Sequence, residues 1–293
     1  LEFRRVLFRS LGRQTTRRIE LIDGVQVTQG QGDARLQSLQ GDDQPVVMID
    51  VMDAASQCEA GRLVWEHRGE GLFSASSSGL QYALVAYWRS RGWLPEQSSL
   101  PVAAPADVIA VVSGSCSVMS GKQIEWALAH GFQGERLDVA ACLSPATRAA
   151  EIDRVVAASL KALAQGRSPL VYSAMGPDDP AVTGFDAVVT SSGLHRAQAA
   201  EAIGHALADV MKQLLDRSAL KRVVVAGGDS SGAVASHLGV QALTVCAGLR
   251  PGAPLCRAWS DDPRRDGLEL VLKGGQMGTP SFYGEVLSGQ VQG

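Results

Sequence analysis

Two glycine-rich turns, each placed directly after an apolar strand, are the parts of this chain best suited to chemistry. The first, residues 227–232 (GGDSSG), lies between the apolar run 223–225 and a helix that we expect to begin at Ala233. In such a turn the backbone N–H groups point towards one place at the positive end of the helix dipole, and that geometry binds phosphate. The second turn lies in residues 272–278 (LKGGQMG). Two such turns in one segment predict a nucleotide held from two sides.

A third turn adds hydroxyl groups at the same kind of position. The apolar run 108–112 leads into residues 113–117 (SGSCS), and a helix is predicted from about Ser120. At the carboxyl end of a strand, the small side chains of Ser115 and Ser117 are suited to contact phosphate or ribose. Neither glycine turn is a P-loop or a dinucleotide G-x-G-x-x-G motif, and a single turn could equally be a tight connection that needs glycine for a positive φ. The phosphate-binding interpretation therefore depends on the three turns together.

In this order, and with residues 251–259 (PGAPLCRAW) between the two glycine turns, these segments resemble the four-carbon acid sugar kinase family. The resemblance covers residues 108–287 and implies a complete domain that binds ATP. It also implies a preceding domain for a four-carbon sugar acid of the 3-oxo-tetronate, erythronate or threonate type, whose terminal hydroxyl receives the phosphoryl group. Ser230 replaces the usual threonine and keeps its hydroxyl, whereas Gln276 and Met277 replace the usual asparagine and phenylalanine.

The resemblance implies roles in phosphoryl transfer, which depends mainly on positioning and on charge neutralisation around ATP and Mg²⁺. The expected nucleotide-binding residues are Ser115, Ser117, Gly227, Gly228, Asp229, Ser230, Gly232, Gly274 and Gly275. Asp229 could orient Mg²⁺ through water, and it is equally suited to stabilising the turn. Lys273 is the best candidate for a cation on the phosphates, with a merely solvated strand lysine as the alternative. These two residues are also the candidates for catalysis, and no residue is predicted to bind a metal directly.

The amino-terminal third departs from the family pattern. Family members begin their sugar-binding domain with an Asp-Asp-Leu-Thr-Gly-Ala type of motif, which this sequence does not contain. We therefore expect an N-terminally truncated chain, with the acceptor base in the missing motif. The expected parts are a non-native leader (1–10), a remnant of the sugar-acid-binding domain (11–95), a linker (96–107) and the nucleotide-binding domain (108–287). The alternative function is a nucleotide-binding fragment without catalytic activity.

A serine-rich turn within the amino-terminal remnant is a candidate substrate site. Residues 72–95 predict a strand, a Ser-Ser-Ser-Gly turn and an amphipathic helix. Ser78 and Gly79 resemble a family turn whose backbone amides could bind the carboxylate of the sugar acid. An ordinary helix capped by Ser77 or Ser78 explains the same residues at least as well.

The overall pattern predicts an α/β protein of two α/β domains. The first is a partial sugar-binding domain, and the second is a complete nucleotide-binding domain with a mostly parallel or mixed sheet flanked by helices. After the serine-bearing turn we expect strands at 137–143 and 168–174, a polar loop at 175–188, and a long helix at roughly 193–217.

Composition excludes several classes of protein. A net charge of -3 gives no basic surface for nucleic acid, and no run approaches the ~18 apolar residues of a membrane helix. Five widely spaced cysteines without a C-x-x-C pair predict neither a disulfide framework nor a zinc site. A dehydrogenase is disfavoured because no G-x-G-x-x-G follows a strand. We expect a cytoplasmic enzyme that acts on a small sugar acid, and we leave a homo-oligomer open.

Overall fold

The computed structural model describes residues 8–39, 41, 44–76, 78–95 and 100–290. The chain divides into two compact units, Leu1–Ser99 and Leu100–Gly293. Residues 1–7 of the predicted leader, Ser77, and residues 96–99 of the predicted linker lie outside the described residues. Among the residues that are described, no helix is long and apolar enough to cross a membrane.

The first unit is built around a short parallel sheet. Its elements in chain order are β1 (Ile19–Ile22), α1 (Gly24–Thr28), α2 (Gly32–Ser38), β2 (Val46–Ile49), α3 (Ala54–Glu66) and α4 (Gly79–Ser90). Strands β1 and β2 pair in parallel, and a small core of Ile22, Val27 and Leu63 lies against them. The carboxylate of Asp53 caps α3 by accepting the N–H of Ser56 at 2.8 Å.

The predicted strand before α4 is wrong. Residues 72–76 form no strand. Phe73 is 93% exposed, and the serines that follow it offer no apolar surface to bury. A strand needs one face packed against other elements, and this segment has none.

The second unit contains a seven-stranded sheet with helices on both faces. Its strands are β3 (Ala110–Ser113), β4 (Gln133–Arg136), β5 (Pro169–Tyr172), β6 (Arg222–Ala226), β7 (Ala242–Arg250), β8 (Ala253–Trp259) and β9 (Glu269–Lys273). Its helices are α5 (Val118–Ala129), α6 (Val139–Leu143), α7 (Arg148–Ala164), α8 (Pro180–Thr183), α9 (Phe185–Ser192), α10 (Arg196–Asp216), α11 (Gly228–His237) and α12 (Phe282–Ser288). The strand order is β4-β5-β3-β6-β9-β8-β7.

The sheet is mixed, as the sequence predicted. Strands β4, β5, β3, β6 and β9 run parallel to one another, whereas β8 is antiparallel to both β9 and β7. At the centre, Val111 pairs with Val224 and Val224 pairs with Val271. All three side chains are fully buried, because helices cover both faces of these strands. Buried parallel strands appear in a sequence as continuous apolar runs, and these runs were visible here.

Two segments differ from their predicted structure. Residues 137–143 contain the helix α6 and not a strand, because the carboxylate of Asp138 accepts the N–H of Ala141 at 3.0 Å and so caps a helix. The predicted polar loop at 175–188 contains α8 and the beginning of α9. Asp179 caps α8 by accepting the N–H of Ala181 at 2.8 Å, and Pro180 suits the first helical position.

Candidate nucleotide-binding site

Three chain segments meet at the carboxyl ends of the neighbouring strands β3, β6 and β9. We call them the serine segment (114–117), the first glycine segment (227–232) and the second glycine segment (274–278). Helices α5 and α11, which follow β3 and β6, pack on opposite faces of the sheet: Ile124 of α5 lies in the core with Val224, and Val234 of α11 in the core with Val225. Open α/β sheets bind ligands in the crevice at such a reversal.

The first glycine segment is the start of α11 and not a separate turn, so the predicted helix start at Ala233 is wrong. The helix begins at Gly228, directly after Gly227, whose φ of 119° favours glycine. Small polar residues in this segment imitate a turn in the sequence, but they are also compatible with the first turn of a helix.

The first turn of α11 has unpaired backbone donors. No side chain caps it, and the N–H of Ser231 is the first to bond back, to the Gly227 carbonyl at 2.9 Å. The amides of Gly228, Asp229 and Ser230 therefore have no acceptor within the described part of the chain. A Cβ at Gly228 would meet nothing within 4 Å, so the space beside these amides is open. Unpaired amides at a helix N-terminus next to open space fit an anionic group such as phosphate.

The serine segment and the first glycine segment pack closely. A Cβ added at Gly114 would lie 2.1 Å from Ser230 Oγ, and one at Gly227 would lie 3.2 Å from Ser230 Oγ and 3.3 Å from the Ser115 nitrogen. Ser230 is 6% exposed, so its hydroxyl fills the gap between the two segments. Its contact with phosphate stays a prediction.

Polar side chains of α5 and its N-cap hold the second glycine segment. The Ser117 hydroxyl donates to the Gly275 carbonyl at 2.6 Å, and the Ser120 hydroxyl donates to the same oxygen at 3.1 Å. The Gln123 amide donates to the carbonyls of Met277 and Thr279, both at 2.9 Å. These bonds fix the backbone of the segment against a helix that follows a different strand.

Lys273 lies beneath the second glycine segment and does not face solvent. It is 1% exposed, and its Nζ donates to the carbonyls of Gly274 at 2.9 Å and Gly275 at 3.1 Å and lies 3.4 Å from Ser120 Oγ. Burial lowers the pKa of this ammonium from its ordinary 10.5 to about 8. The structure therefore excludes the alternative that Lys273 is an ordinary solvated lysine.

Sequence reasoning missed two buried polar residues of α5. Ser120 and Gln123 are fully buried, and their three-residue spacing puts them on one side of the helix. Polar side chains at the buried positions of an amphipathic helix were the available signal. Their acceptors lie more than 150 residues later in the chain, so the sequence alone could not pair them.

An ion pair between a buried carboxylate and a partly exposed arginine anchors the chain just after the second glycine segment. Glu285 of α12 is fully buried and accepts two bonds from the Arg250 guanidinium, both at 2.9 Å. The hydroxyls of Thr279 and Ser281 donate to the same carboxylate at 2.6 and 3.0 Å. Arg250 and these hydroxyls hold the pKa of Glu285 below its usual range, although burial acts in the opposite direction.

The remaining predicted residues differ in their placement. Asp229 is exposed in the first turn of α11, where a carboxylate is favoured by the helix dipole. Ser78 and Gly79 belong to the first unit and are exposed at the start of α4, and the Ser78 side chain makes no cap bond. In the described residues, no group of three or more His, Cys, Asp or Glu could hold a metal ion.

Comparison with known proteins identifies the second unit. Residues 110–283 match the family described as the nucleotide-binding C-terminal domain. The chain is 59% identical over 283 residues to the 3-oxo-isoapionate kinase of Paraburkholderia graminis, covering 97% of this chain and 60% of that protein. It is 33% identical over 211 residues to the 3-oxo-tetronate kinase of Cupriavidus necator, covering 72% of this chain and 45% of that protein. The chain thus spans about half the length of the curated relatives it matches.

The fold has a counterpart among solved structures. A Haemophilus influenzae protein matches with a TM-score of 0.58 at 22% identity, over 96% of this chain and 62% of that one. At this level of identity the match shows the fold alone. Since the family match spans residues 110–283 of a 293-residue chain, the chain belongs to the four-carbon acid sugar kinase family and carries its nucleotide-binding C-terminal domain.

Proposed function

We propose that the second unit binds ATP and that the protein is an ATP-dependent kinase that phosphorylates the terminal hydroxyl of a sugar acid. The observation that carries this proposal is the meeting of three chain segments at the ends of β3, β6 and β9, where the amides of Gly228, Asp229 and Ser230 have no acceptor among the described residues. The kinase names of the relatives support it. Because the chain spans 60% of the first of these relatives, the activity of the whole protein remains a proposal.

The residues of the site would bind and orient the nucleotide. The bound ATP supplies the phosphoryl group, and Mg²⁺ neutralises its charge. The amides of Gly228, Asp229 and Ser230 would donate to phosphate oxygens, and the dipole of α11 would favour the same negative charge. Asp229 would face the ion through water, because a carboxylate placed directly against phosphate would repel it. The close packing of Gly114 and Gly227 against Ser230 keeps these donors in one place.

The proposed substrate is a 3-oxo sugar acid. The relatives at 59% and 33% identity are named for 3-oxo-isoapionate and 3-oxo-tetronate. Both compounds are sugar acids with a 3-oxo group. We take 3-oxo-isoapionate as the first compound to assay, with 3-oxo-tetronate, erythronate and threonate for comparison. Ser78 and Gly79 remain the proposed contacts for the substrate carboxylate.

Calorimetric titration of the chain with ATP and ADP in the presence of Mg²⁺ tests the nucleotide site. In Gly228→Val, a branched side chain would occupy the open space beside the first amides of α11, so we expect binding to be lost. Ser236→Val introduces the same residue at an exposed position later in α11 and serves as the control. Equal affinity in the two variants would place the nucleotide elsewhere.

A coupled assay of ADP release then tests phosphoryl transfer. Turnover with a 3-oxo sugar acid supports the kinase, whereas ATP binding without turnover of any of the four acids supports the nucleotide-binding fragment. Absence of ATP binding by the folded chain would contradict both.

A further inference from the structure

One carbonyl oxygen in the second glycine segment accepts three donors. The Gly275 carbonyl is approached by the Ser117 hydroxyl at 2.6 Å, the Ser120 hydroxyl at 3.1 Å and the Lys273 ammonium at 3.1 Å. The neighbouring Gly274 carbonyl accepts the same ammonium at 2.9 Å and the N–H of Met277 at 3.1 Å. A carbonyl oxygen has two lone pairs. The carbonyl oxygens of Gly274 and Gly275 each accept at least two donors, so neither has a lone pair left for another partner.

The orientation of these carbonyls determines where the next amides point. In a planar trans peptide the C=O of one residue and the N–H of the next point in opposite directions. The N–H groups of Gly275 and Gln276 must therefore point away from Lys273. Within the described part of the chain, neither of these amides has an acceptor. Two adjacent amides that both point away from Lys273 are suited to bind an anion.

The ammonium itself has no donor left for a ligand. A lysine has three N–H donors, and those of Lys273 are directed at Gly274, Gly275 and Ser120. The side chain is 1% exposed, so a phosphate could reach it only after the segment moved. The positive charge lies on the carbonyl side of the two peptides, where it polarises both carbonyls and with them the outward amides.

We propose that Lys273 is a positioning residue and not a phosphate ligand: with Ser117 and Ser120 it orients the two peptides of the second glycine segment so that the amides of Gly275 and Gln276 receive phosphate. This inference rests on the proposed binding of ATP. In this proposal the conformation of the second glycine segment depends on two hydroxyls, one in α5 and one on its N-cap residue.

Three variants test the inference. Lys273→Met keeps the length of the side chain and removes the charge, whereas Ser117→Ala and Ser120→Ala each remove one hydroxyl and leave Lys273 in place. Lys122→Met, at an exposed position of α5, is the matched control. The first readout is the position of the Gly275 and Gln276 amide signals in ¹⁵N-labelled, nucleotide-free protein. The second is the Kd for ADP, and thermal unfolding confirms that each variant is folded.

A positioning role predicts that Lys273→Met and both serine variants move the two amide signals before any nucleotide is added. It also predicts ADP binding at least about tenfold weaker in Lys273→Met, and weaker by a smaller factor in each serine variant. The control should match the wild type in both readouts. If Lys273→Met does not fold, the two serine variants carry the test alone.

Two results would overturn the inference and leave ATP binding intact. A direct phosphate ligand would give weaker ADP binding in Lys273→Met alone, and both serine variants would then keep the wild-type affinity. Amide signals that move without any change in the Kd would show that the segment does not contact the nucleotide. If the wild type bound no ADP, the proposed function would fail, and the inference with it.

Discussion

The replacement Gly275→Ala tests the packing at the centre of the site. A Cβ at this position would lie 2.4 Å from Ser115 Oγ and 3.1 Å from Ser117 Oγ. The first distance is about 1 Å below ordinary van der Waals contact, and Ser115 is only 7% exposed, so it has little room to turn aside. Overpacking of this kind costs about 1–3 kcal/mol. We expect the free energy of unfolding to fall by that amount.

A double-mutant cycle isolates the contact. Ser115→Ala removes the Oγ that the new Cβ would meet, so Gly275→Ala should cost less in that background, with a coupling energy of about 1–2 kcal/mol. Urea denaturation of the four proteins measures it. Gly228→Ala is the matched control, because a Cβ there meets nothing within 4 Å and should leave stability nearly unchanged. An equal cost of Gly275→Ala in both backgrounds would refute the packing argument.

Three further predictions concern buried charges. Because burial lowers the pKa of Lys273 to about 8 in the folded chain, the unfolded chain binds more protons between about pH 8 and 10.5. The stability of the wild type relative to Lys273→Met should therefore rise over that window in urea titrations, and a flat difference would contradict it. Glu285→Gln should lower the free energy of unfolding by about 2–3 kcal/mol, because it breaks the ion pair between this buried carboxylate and Arg250. A loss below about 0.5 kcal/mol in urea denaturation would contradict this. The Arg136 guanidinium holds the pKa of Asp179 well below its usual range, so this carboxylate adds stability above its usual pKa that is lost as pH falls. Asp179→Asn should flatten the acid side of the stability profile, and an unchanged profile would count against the pair.

The sequence predicted the elements that depend on local patterns. The apolar runs of β3, β6 and β9 were recognisable because parallel strands buried on both faces need apolar side chains at consecutive positions. The glycine segments were recognisable because close backbone approach admits few other residues. The mostly parallel or mixed sheet followed from the alternation of strands and helices, and the family followed from the order of these segments.

What the sequence did not predict depends on long-range contacts or on a choice between two local structures. Residues 137–143 have an apolar pattern that suits a strand, but Asp138 caps a helix. The hairpin of β7 and β8 was not anticipated. In the site, the sequence left two roles open for Lys273, a cation on the phosphates or a solvated lysine, because nothing in the sequence shows that Ser120 lies 3.4 Å from its ammonium.

The arrangement of β3, β6 and β9 also bears on the order of folding. The site combines segments at residues 114–117, 227–232 and 274–278, which become neighbours only through pairings of high sequence separation. Closing such long loops costs entropy before any contact stabilises them, so these pairings form late. A chain still under synthesis has no complete nucleotide site until β9 has emerged and docked on β6. A nucleotide bound at the finished site would stabilise β9 in its place beside β6. It should therefore slow hydrogen exchange in β9 more than in the edge strand β4.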